Sequence, residues 1–249
     1  MRAEDSRATV VAEDSQESIR PSIPDAAAQP GSKPSTAPEG PGMSVQEALG
    51  HAPLVLAGLV VAFVGSAPLA GAWFVACRSA YVLLVGFWLH AEAKHAALSR
   101  RLGQEAAWLK FSARAARLMV GDAVAFGALC VATRGTFVLP GPSWLVFAAG
   151  ALLVVLGVGT KAWAAASLPK GTFYWRDFFV PAQHRTRILS GPYRWISNPM
   201  YTVGYAQAYG LAILLGSGPG LAGAVLAQLA ILALAALVER PHFRGIGPK

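Results

Sequence analysis

The residues best suited to chemistry lie in a polar and aromatic stretch, 168–201, between two apolar segments. Near its end, Gly191-Pro192 predicts a tight turn. Asn198-Pro199 then predicts the start of a helix at Met200, with Asn as the N-cap and Pro as the first helical residue. The free N–H groups and positive dipole end of such a helix suit a carboxylate or a phosphate. Read alone, the same residues also fit a turn followed by a capped transmembrane helix.

The composition around this stretch predicts a membrane protein. Hydrophobic residues make up 54% of the 249 residues and charged residues only 14%, whereas a soluble domain carries about 25% charged residues. The connection 168–201 is also longer than a turn requires, and long connections are more often functional. The chemistry is therefore expected at the surface of a membrane-embedded domain.

Six apolar segments predict an all-α, polytopic transmembrane protein of five to six spans. The last two segments, joined by the glycine-rich residues 216–220, are expected to form a tight C-terminal helical hairpin. Residues 53–90 leave two interpretations open: two short spans that turn near residues 65–68, or one span followed by an interfacial helix. The segments are 53–68, 72–90, 118–133, 143–166, 200–216 and 221–238.

The charge distribution predicts an orientation in the membrane. Residues 51–249 hold seventeen bases and five acids, and the bases cluster in the connections 91–117 and 167–199 and after Glu239. Because bases accumulate in cytoplasmic loops, we expect a multi-pass integral membrane protein whose active site faces the cytoplasm. The bases stand between apolar segments, which indicates topology signals and attraction to anionic lipid rather than binding of nucleic acid.

Residues 1–50 are rich in Ala, Ser, Pro, Asp and Glu and lack apolar periodicity. They are predicted to form a disordered tail, followed by a transmembrane domain over residues 51–249. The two cysteines, Cys77 and Cys130, stand alone in apolar segments, which argues against a disulfide framework and against a metal site.

Several single residues have both a functional and a structural interpretation. Asp122 is an intramembrane acid and so a functional candidate, but we favour a carboxylate that reaches the headgroups or Arg117. Lys161, near the end of a span, is expected to snorkel to the interface. Tyr174 and Trp175 are interpreted as membrane anchors, with a cation–π face as the alternative.

Three motifs, in order along residues 145–245, resemble the signatures of integral-membrane S-adenosylmethionine-dependent methyltransferases. Residues 191–201 read GPYRWISNPMY and are similar to the family's G-P-Y-R-x-x-R-H-P-x-Y, with Ser-Asn in place of Arg-His. Residues 171–179 resemble G-T-[FY]-x-G-D-[YF]-F with one extra residue, and residues 238–243 resemble an E-E-P or E-R-P motif. The first two motifs are most similar to the phospholipid N-methyltransferase branch.

The resemblance implies a membrane enzyme that uses S-adenosyl-L-methionine to N-methylate a phospholipid amine headgroup or a similar lipid-like acceptor. The cofactor would lie among the three motifs, with Glu239 binding its ribose hydroxyls or amine. A protonated amine must lose a proton before it attacks, and a carboxylate or His within reach could accept it. The implied catalytic residues are Glu239, Asp177 and His184, and the implied cofactor-binding residues are Gly171, Gly191, Pro192, Tyr193, Arg194, Asn198, Pro199, Met200, Tyr201, Glu239, Arg240 and His242.

The sequence also allows other functions. An isoprenylcysteine-type carboxyl or thiol methyltransferase, acting on a prenylated or small apolar substrate, shares the motifs. Membrane sterol reductases carry a similar R-H-P-N-Y element and use a nicotinamide cofactor, but Met200 replaces their Asn. A non-catalytic relative is suggested by Glu239-Arg240 where family members have a pair of Glu. His184 adjoins Arg185, where contact with a phosphate is as plausible as base chemistry.

Overall fold

The computed structural model describes residues 45–168, 175–180 and 190–244. The predicted N-terminal tail lies outside the described residues up to residue 44. The first helix begins at Val45, shortly before the predicted domain boundary at residue 51.

Within these ranges the chain is mostly helical and contains no strand, which confirms the all-α prediction. The α-helices are α1 (Val45–Phe63), α2 (Ala67–His95), α3 (Ser99–Leu102), α4 (Gln104–Ala132), α5 (Ser143–Ala166), α6 (Ala206–Leu214), α7 (Gly218–Leu234) and α8 (Arg240–Arg244). Shorter turns of helix are the 3-10 segments Arg176–Phe178, Gly191–Arg194 and Val203–Tyr205 and the π-helical segment Ala235–Glu239.

Four helices in the described part of the chain are long and apolar enough to cross a membrane: α2, α4, α5 and the continuous helix Gly218–His242. Two shorter apolar helices, Gly50–Phe63 and Val203–Leu214, accompany them. This pattern of long and short apolar helices is that of the predicted polytopic membrane protein.

The chain turns between α1 and α2 at residues 64–66, so residues 53–90 form two helices, as both interpretations expected. Of the two, α2 is long enough to cross a membrane, and α1 contains a shorter apolar helix. Ser66 is the N-cap of α2, and its side chain accepts a hydrogen bond from the Leu69 N–H at 3.4 Å. Pro68 lies in the first turn of α2, where a missing N–H costs no hydrogen bond. Local sequence therefore explains this break completely.

The core lies where α2, α4 and α7 meet. Phe74 of α2 packs edge to face against Phe126 of α4, with ring centroids 5.6 Å apart, and Gly223 of α7 lies against both rings. In contrast, α5 exposes large apolar side chains such as Leu152 and Val155. A helix with so much apolar surface outside the bundle is suited to contact with lipid.

Glycines set a very close pairing between α5 and α6. A Cβ on Gly210 would lie 2.5 Å from the carbonyl oxygen of Gly150, and one on Gly157 would overlap the backbone of Gln207. Small residues let helix backbones approach closely inside a membrane. The predicted hairpin of α6 and α7 forms at residues 215–217, but the close approach that these glycines allow is between α5 and α6.

Replacing Gly157 by Ala is expected to destabilise the protein by about 1–3 kcal/mol, because the new methyl group must push α6 away from α5. Gly159→Ala is the matched control: a methyl group there meets open space, and Ala is favoured over Gly in a helix by roughly 0.5–1 kcal/mol. Thermal unfolding in detergent should give a lower midpoint for the first variant only. Equal midpoints for the two variants would contradict this packing.

Candidate functional site

Glu239 is the point at which the three motif-bearing segments meet. Its Oε1 accepts a hydrogen bond from the Trp175 indole N–H at 2.6 Å and a second from the Tyr201 hydroxyl at 2.9 Å. Trp175 comes from the aromatic segment before Asp177, Tyr201 follows the Gly191–Arg194 turn, and Glu239 ends the last membrane helix. Segments that are distant in sequence thus share one half-buried carboxylate.

A π-helical turn, Ala235–Glu239, positions this carboxylate. It widens the last membrane helix between α7 and α8. π-Turns inside α-helices are rare and occur frequently at functional sites. Leu234 and Ala235 are buried, so the helix is fixed against the bundle just before Glu239.

Trp175 is held in a strained backbone conformation. Its φ of 54° lies in the left-handed region, which costs a residue with a side chain on the order of 1–3 kcal/mol. The ring packs edge to face on Phe111 of α4, with centroids 6.1 Å apart. Arg176 pairs with Glu105 and lies over the Trp108 ring, also on α4. The interpretation of Trp175 as a membrane anchor is therefore replaced by a role in holding Glu239.

The Gly191–Arg194 turn docks on the end of α5. The φ of Gly191 is +57°, and a Cβ at this position would overlap the Ser167 side chain, so only glycine fits here. The Ser190 hydroxyl donates to the Ser167 carbonyl at 3.2 Å. Tyr193 is half-buried, and burial, followed by the nearby charge of Glu239, raises the pKa of its phenol. The turn therefore presents Tyr193 to the site.

The helix predicted to start at Met200 begins instead at Ala206. Asn198 does cap as predicted, because its side chain accepts from the Tyr201 N–H at 3.3 Å. However, the carbonyls of Tyr201 and Thr202 accept hydrogen bonds from the Gln228 side chain of α7 at 3.1 and 3.4 Å. The backbone leaves the helical conformation at Thr202, whose ψ is −95°, and the Tyr201 hydroxyl reaches Glu239.

The remaining predicted residues are spread around this centre. Arg240 is exposed and interacts electrostatically with Glu239, and His242 stacks on Phe178 with ring centroids 3.9 Å apart. Residues at the edge are the half-buried Asp177, buried Pro192, buried Pro199, half-buried Met200 and exposed Arg194, which lies over the Trp195 ring. Gly171 and His184 lie outside the described residues.

This arrangement is suited to binding a polar ligand at one carboxylate oxygen. The two donors converge on Oε1 of Glu239 and fix its orientation. Oε2 receives no hydrogen bond from the part of the chain that the structure describes, so it could accept one from a ligand hydroxyl or amine. Tyr193 and Tyr201 give the site aromatic walls.

Comparison with known proteins identifies the part of the chain that carries this site. Residues 145–246 match the family described as phospholipid methyltransferase. This segment is therefore similar to the phospholipid methyltransferase family. The resemblance predicted from the motifs is thereby confirmed, and Tyr193, Tyr201 and Glu239 all lie within the matched residues.

Individual proteins that are similar to this chain carry the same kind of name. Phosphatidylethanolamine N-methyltransferase of Schizosaccharomyces japonicus is 34% identical over 94 residues, 38% of this chain and 10% of that protein. The enzyme of the same name from Pyrenophora tritici-repentis is 30% identical over 139 residues, 54% of this chain and 15% of that protein. The chain thus spans only 10% and 15% of these two relatives. No solved structure matches.

A second polar cluster lies deeper in the bundle and includes residues from outside the matched segment 145–246. Arg78 of α2 donates to the Asp122 carboxylate of α4 at 2.5 Å and to the Tyr205 hydroxyl at 3.3 Å. The expectation that Asp122 reaches headgroups or Arg117 is therefore wrong: Asp122 is only 6% exposed and pairs with Arg78. Lys161 lies over the Tyr205 ring, 5.1 Å from its centroid, rather than simply snorkelling.

Arg78 was missed by the motif-based reasoning. The signal that could have found it is a cation near the middle of one apolar segment, 72–90, together with an acid in the next, 118–133. Charged groups inside a bilayer are costly unless they are paired. Two opposite intramembrane charges in neighbouring spans are therefore expected to face each other.

Proposed function

We propose that this chain is a membrane-embedded methyltransferase that uses S-adenosyl-L-methionine to methylate the amine of a phospholipid headgroup. The observation that carries the proposal is the convergence of Trp175 and Tyr201 on Glu239, inside a segment of the phospholipid methyltransferase family. The names of the relatives support transfer to phosphatidylethanolamine.

The residues at this site fit the proposed cofactor. When bound, S-adenosyl-L-methionine supplies an electrophilic methyl group on a sulfonium. Oε2 of Glu239 would bind its ribose hydroxyls or amine, and the half-buried Tyr193 would pack beside it. Gly191, whose missing side chain lets its turn lie against Ser167, would support Tyr193 beside the ligand. Holding donor and acceptor at near-attack distance is the main contribution such a site makes to the rate.

The acceptor amine must be deprotonated before it attacks. Asp177, half-buried two residues after Trp175, is our candidate for the group that takes this proton, because Glu239 is already committed to Trp175 and Tyr201. We also propose that this face of the protein is cytoplasmic, since bases cluster in the connections on that side. Reporter fusions after residues 117 and 249 should both be active in the cytoplasm.

The decisive experiment is incubation of purified protein with methyl-labelled S-adenosyl-L-methionine and mixed phospholipids. Label in methylated phosphatidylethanolamine is expected. Label only in a base-labile ester would point to a carboxyl methyltransferase instead. In parallel, calorimetric titration with S-adenosylhomocysteine should show binding. Absence of binding at millimolar ligand would favour a non-catalytic relative, and binding of a nicotinamide nucleotide in its place would favour a reductase.

Replacing Trp175 by Phe is expected to weaken S-adenosylhomocysteine binding about tenfold. The ring is kept, but the indole N–H that orients Glu239 is lost, and a hydrogen bond to a charged group contributes about 1.5–3 kcal/mol. Trp108→Phe is the matched control, because the buried Trp108 N–H has no hydrogen-bond partner within the described ranges. Calorimetric titration of both variants checks this, and equal affinities would contradict the role given to Trp175.

A further inference from the structure

The deeper cluster of Arg78, Asp122, Lys161 and Tyr205 contains charges that do not cancel. Arg78 is 7% exposed and Asp122 6%, and both lie within membrane-spanning helices. Lys161 interacts electrostatically with both of them. Two cations therefore face one carboxylate, a formal excess of one positive charge. Because Arg78 and Asp122 pair with each other, the excess charge is that of the partly buried Lys161. An unpaired cation within a membrane-spanning helix is costly, so the excess points to an anion that binds here.

The hydrogen bonding of the cluster is also incomplete. Arg78 and Asp122 are joined through a single nitrogen and a single oxygen. Arg78 Nε and Asp122 Oδ1 are buried and have no hydrogen-bond partner among the residues that the structure describes. Arginine binds carboxylates and phosphates through two parallel bonds, and here that capacity is unused. Because Arg78 donates to the Tyr205 oxygen, the phenolic hydrogen of Tyr205 also stays available to another acceptor.

The backbone near Lys161 is shaped to bring its amine to this cluster. A Cβ on Gly204 would lie 2.9 Å from Cγ of Lys161, so the absence of a side chain at Gly204 lets the lysine stem cross the Val203–Tyr205 turn. The amine then lies over the Tyr205 ring. Unlike Arg78 and Asp122, Lys161 is only partly buried. It therefore offers an approach from the face of α5, whose large apolar side chains are exposed.

The cluster adjoins the site at Glu239. Tyr81 of α2 stacks beside Arg78, with the guanidinium carbon 5.5 Å from the ring centroid. The same tyrosine interacts electrostatically with Glu239 and with Tyr205. Tyr201, which donates to Glu239, interacts with both of these tyrosines. A molecule that spans a few polar groups could therefore contact Lys161 and the Glu239 site together.

From these observations we infer that Arg78 and Lys161, with the Tyr205 hydroxyl, bind the phosphodiester of the acceptor phospholipid. This inference rests on the proposed function. A phosphodiester carries one negative charge, which balances the excess of the cluster, and its two free oxygens can accept from Arg, Lys and Tyr. In a phosphatidylethanolamine the amine lies two carbons beyond the phosphate, which would direct it toward Glu239 while the acyl chains leave along α5.

The test compares binding of two lipids that differ only in the headgroup. Native mass spectrometry of the full chain in detergent, titrated with dioleoylphosphatidylethanolamine or dioleoylglycerol, reads out binding without any methyl transfer. We expect the wild type to prefer the phospholipid, and Lys161→Met to lose about tenfold in phospholipid affinity only. Lys161→Arg should restore the preference, and Lys110→Met, which removes an exposed lysine of α4, should leave it unchanged.

Each other outcome decides against the inference. An unchanged phospholipid preference in both Lys161→Met and Tyr205→Phe would overturn it, as would a wild type that does not distinguish the two lipids. Loss of S-adenosylhomocysteine affinity with intact phospholipid binding would assign the cluster to the donor's carboxylate. If millimolar inorganic phosphate displaced the phospholipid whatever its acyl chains, the cluster would be assigned to free phosphate. A wrong proposed function can be told apart from a wrong inference about the cluster, because in that case methyl transfer would be absent while the lipid preference remained.

Discussion

Glu239→Gln is expected to lower the affinity for S-adenosylhomocysteine by about 10- to 100-fold, the equivalent of one hydrogen bond to a charged group at roughly 1.5–3 kcal/mol. The amide has the shape of the carboxylate and can still accept from Trp175 and Tyr201, so the fold around it is retained. What disappears is the negative charge that Oε2 would offer to a ligand hydroxyl or amine. Methyl transfer should fall at least in proportion.

The control for this variant is Glu105→Gln. Glu105 is an exposed carboxylate on α4 that pairs with Arg176, and exposed pairs contribute about 0–1 kcal/mol. Calorimetric titration of both variants and of Asp122→Ala should rank Glu239→Gln as the most damaging to donor binding. Equal, negligible effects of the Glu239 and Asp122 replacements would show that the donor site lies elsewhere.

The second large effect concerns stability. Asp122→Ala should lower the free energy of unfolding by about 3–5 kcal/mol, because it leaves the Arg78 guanidinium buried without its carboxylate. Replacing both partners by Leu should lower the free energy of unfolding much less, since apolar residues in place of a buried ion pair are often neutral or stabilising. Unfolding in detergent with increasing denaturant compares the three proteins. If Asp122→Ala were as stable as the wild type, the pair would not be buried in the folded protein.

Those features of the fold that depend on local sequence could be predicted. Ser66 and Pro68 mark the break between α1 and α2, and Asn198 makes the expected capping hydrogen bond, although the helix itself begins only at Ala206. The spacing of the apolar segments was sufficient for the all-α assignment. In each case the decisive hydrogen bonds or steric limits involve neighbours within a few residues, which a sequence displays directly.

Contacts between distant segments could not be predicted in the same way. The capped turn at Asn198 does not extend into a helix, and Gln228, from another helix, donates hydrogen bonds to the carbonyls of Tyr201 and Thr202 in the turn that follows. The indole of Trp175 looked like an interfacial anchor because its acceptor, Glu239, is more than sixty residues away. Side-chain partners of this kind depend on how helices are arranged in space, and no local propensity encodes that.

The shortness of α6 has a consequence for where the reaction would occur. Nine helical residues rise about 13 Å, less than half of the ~30 Å of hydrocarbon in a bilayer. A chain that crosses the membrane here must cover the remaining depth in turns. Lipid offers no hydrogen-bond partners to the backbone N–H and C=O groups of such turns. Gln228 supplies hydrogen bonds to two of these carbonyls. The turns that carry Tyr201 and Tyr205 would then lie below the headgroup plane. For the acceptor that we propose, the headgroup would have to sink into the protein to be methylated, while the lipid keeps its chains in its own leaflet.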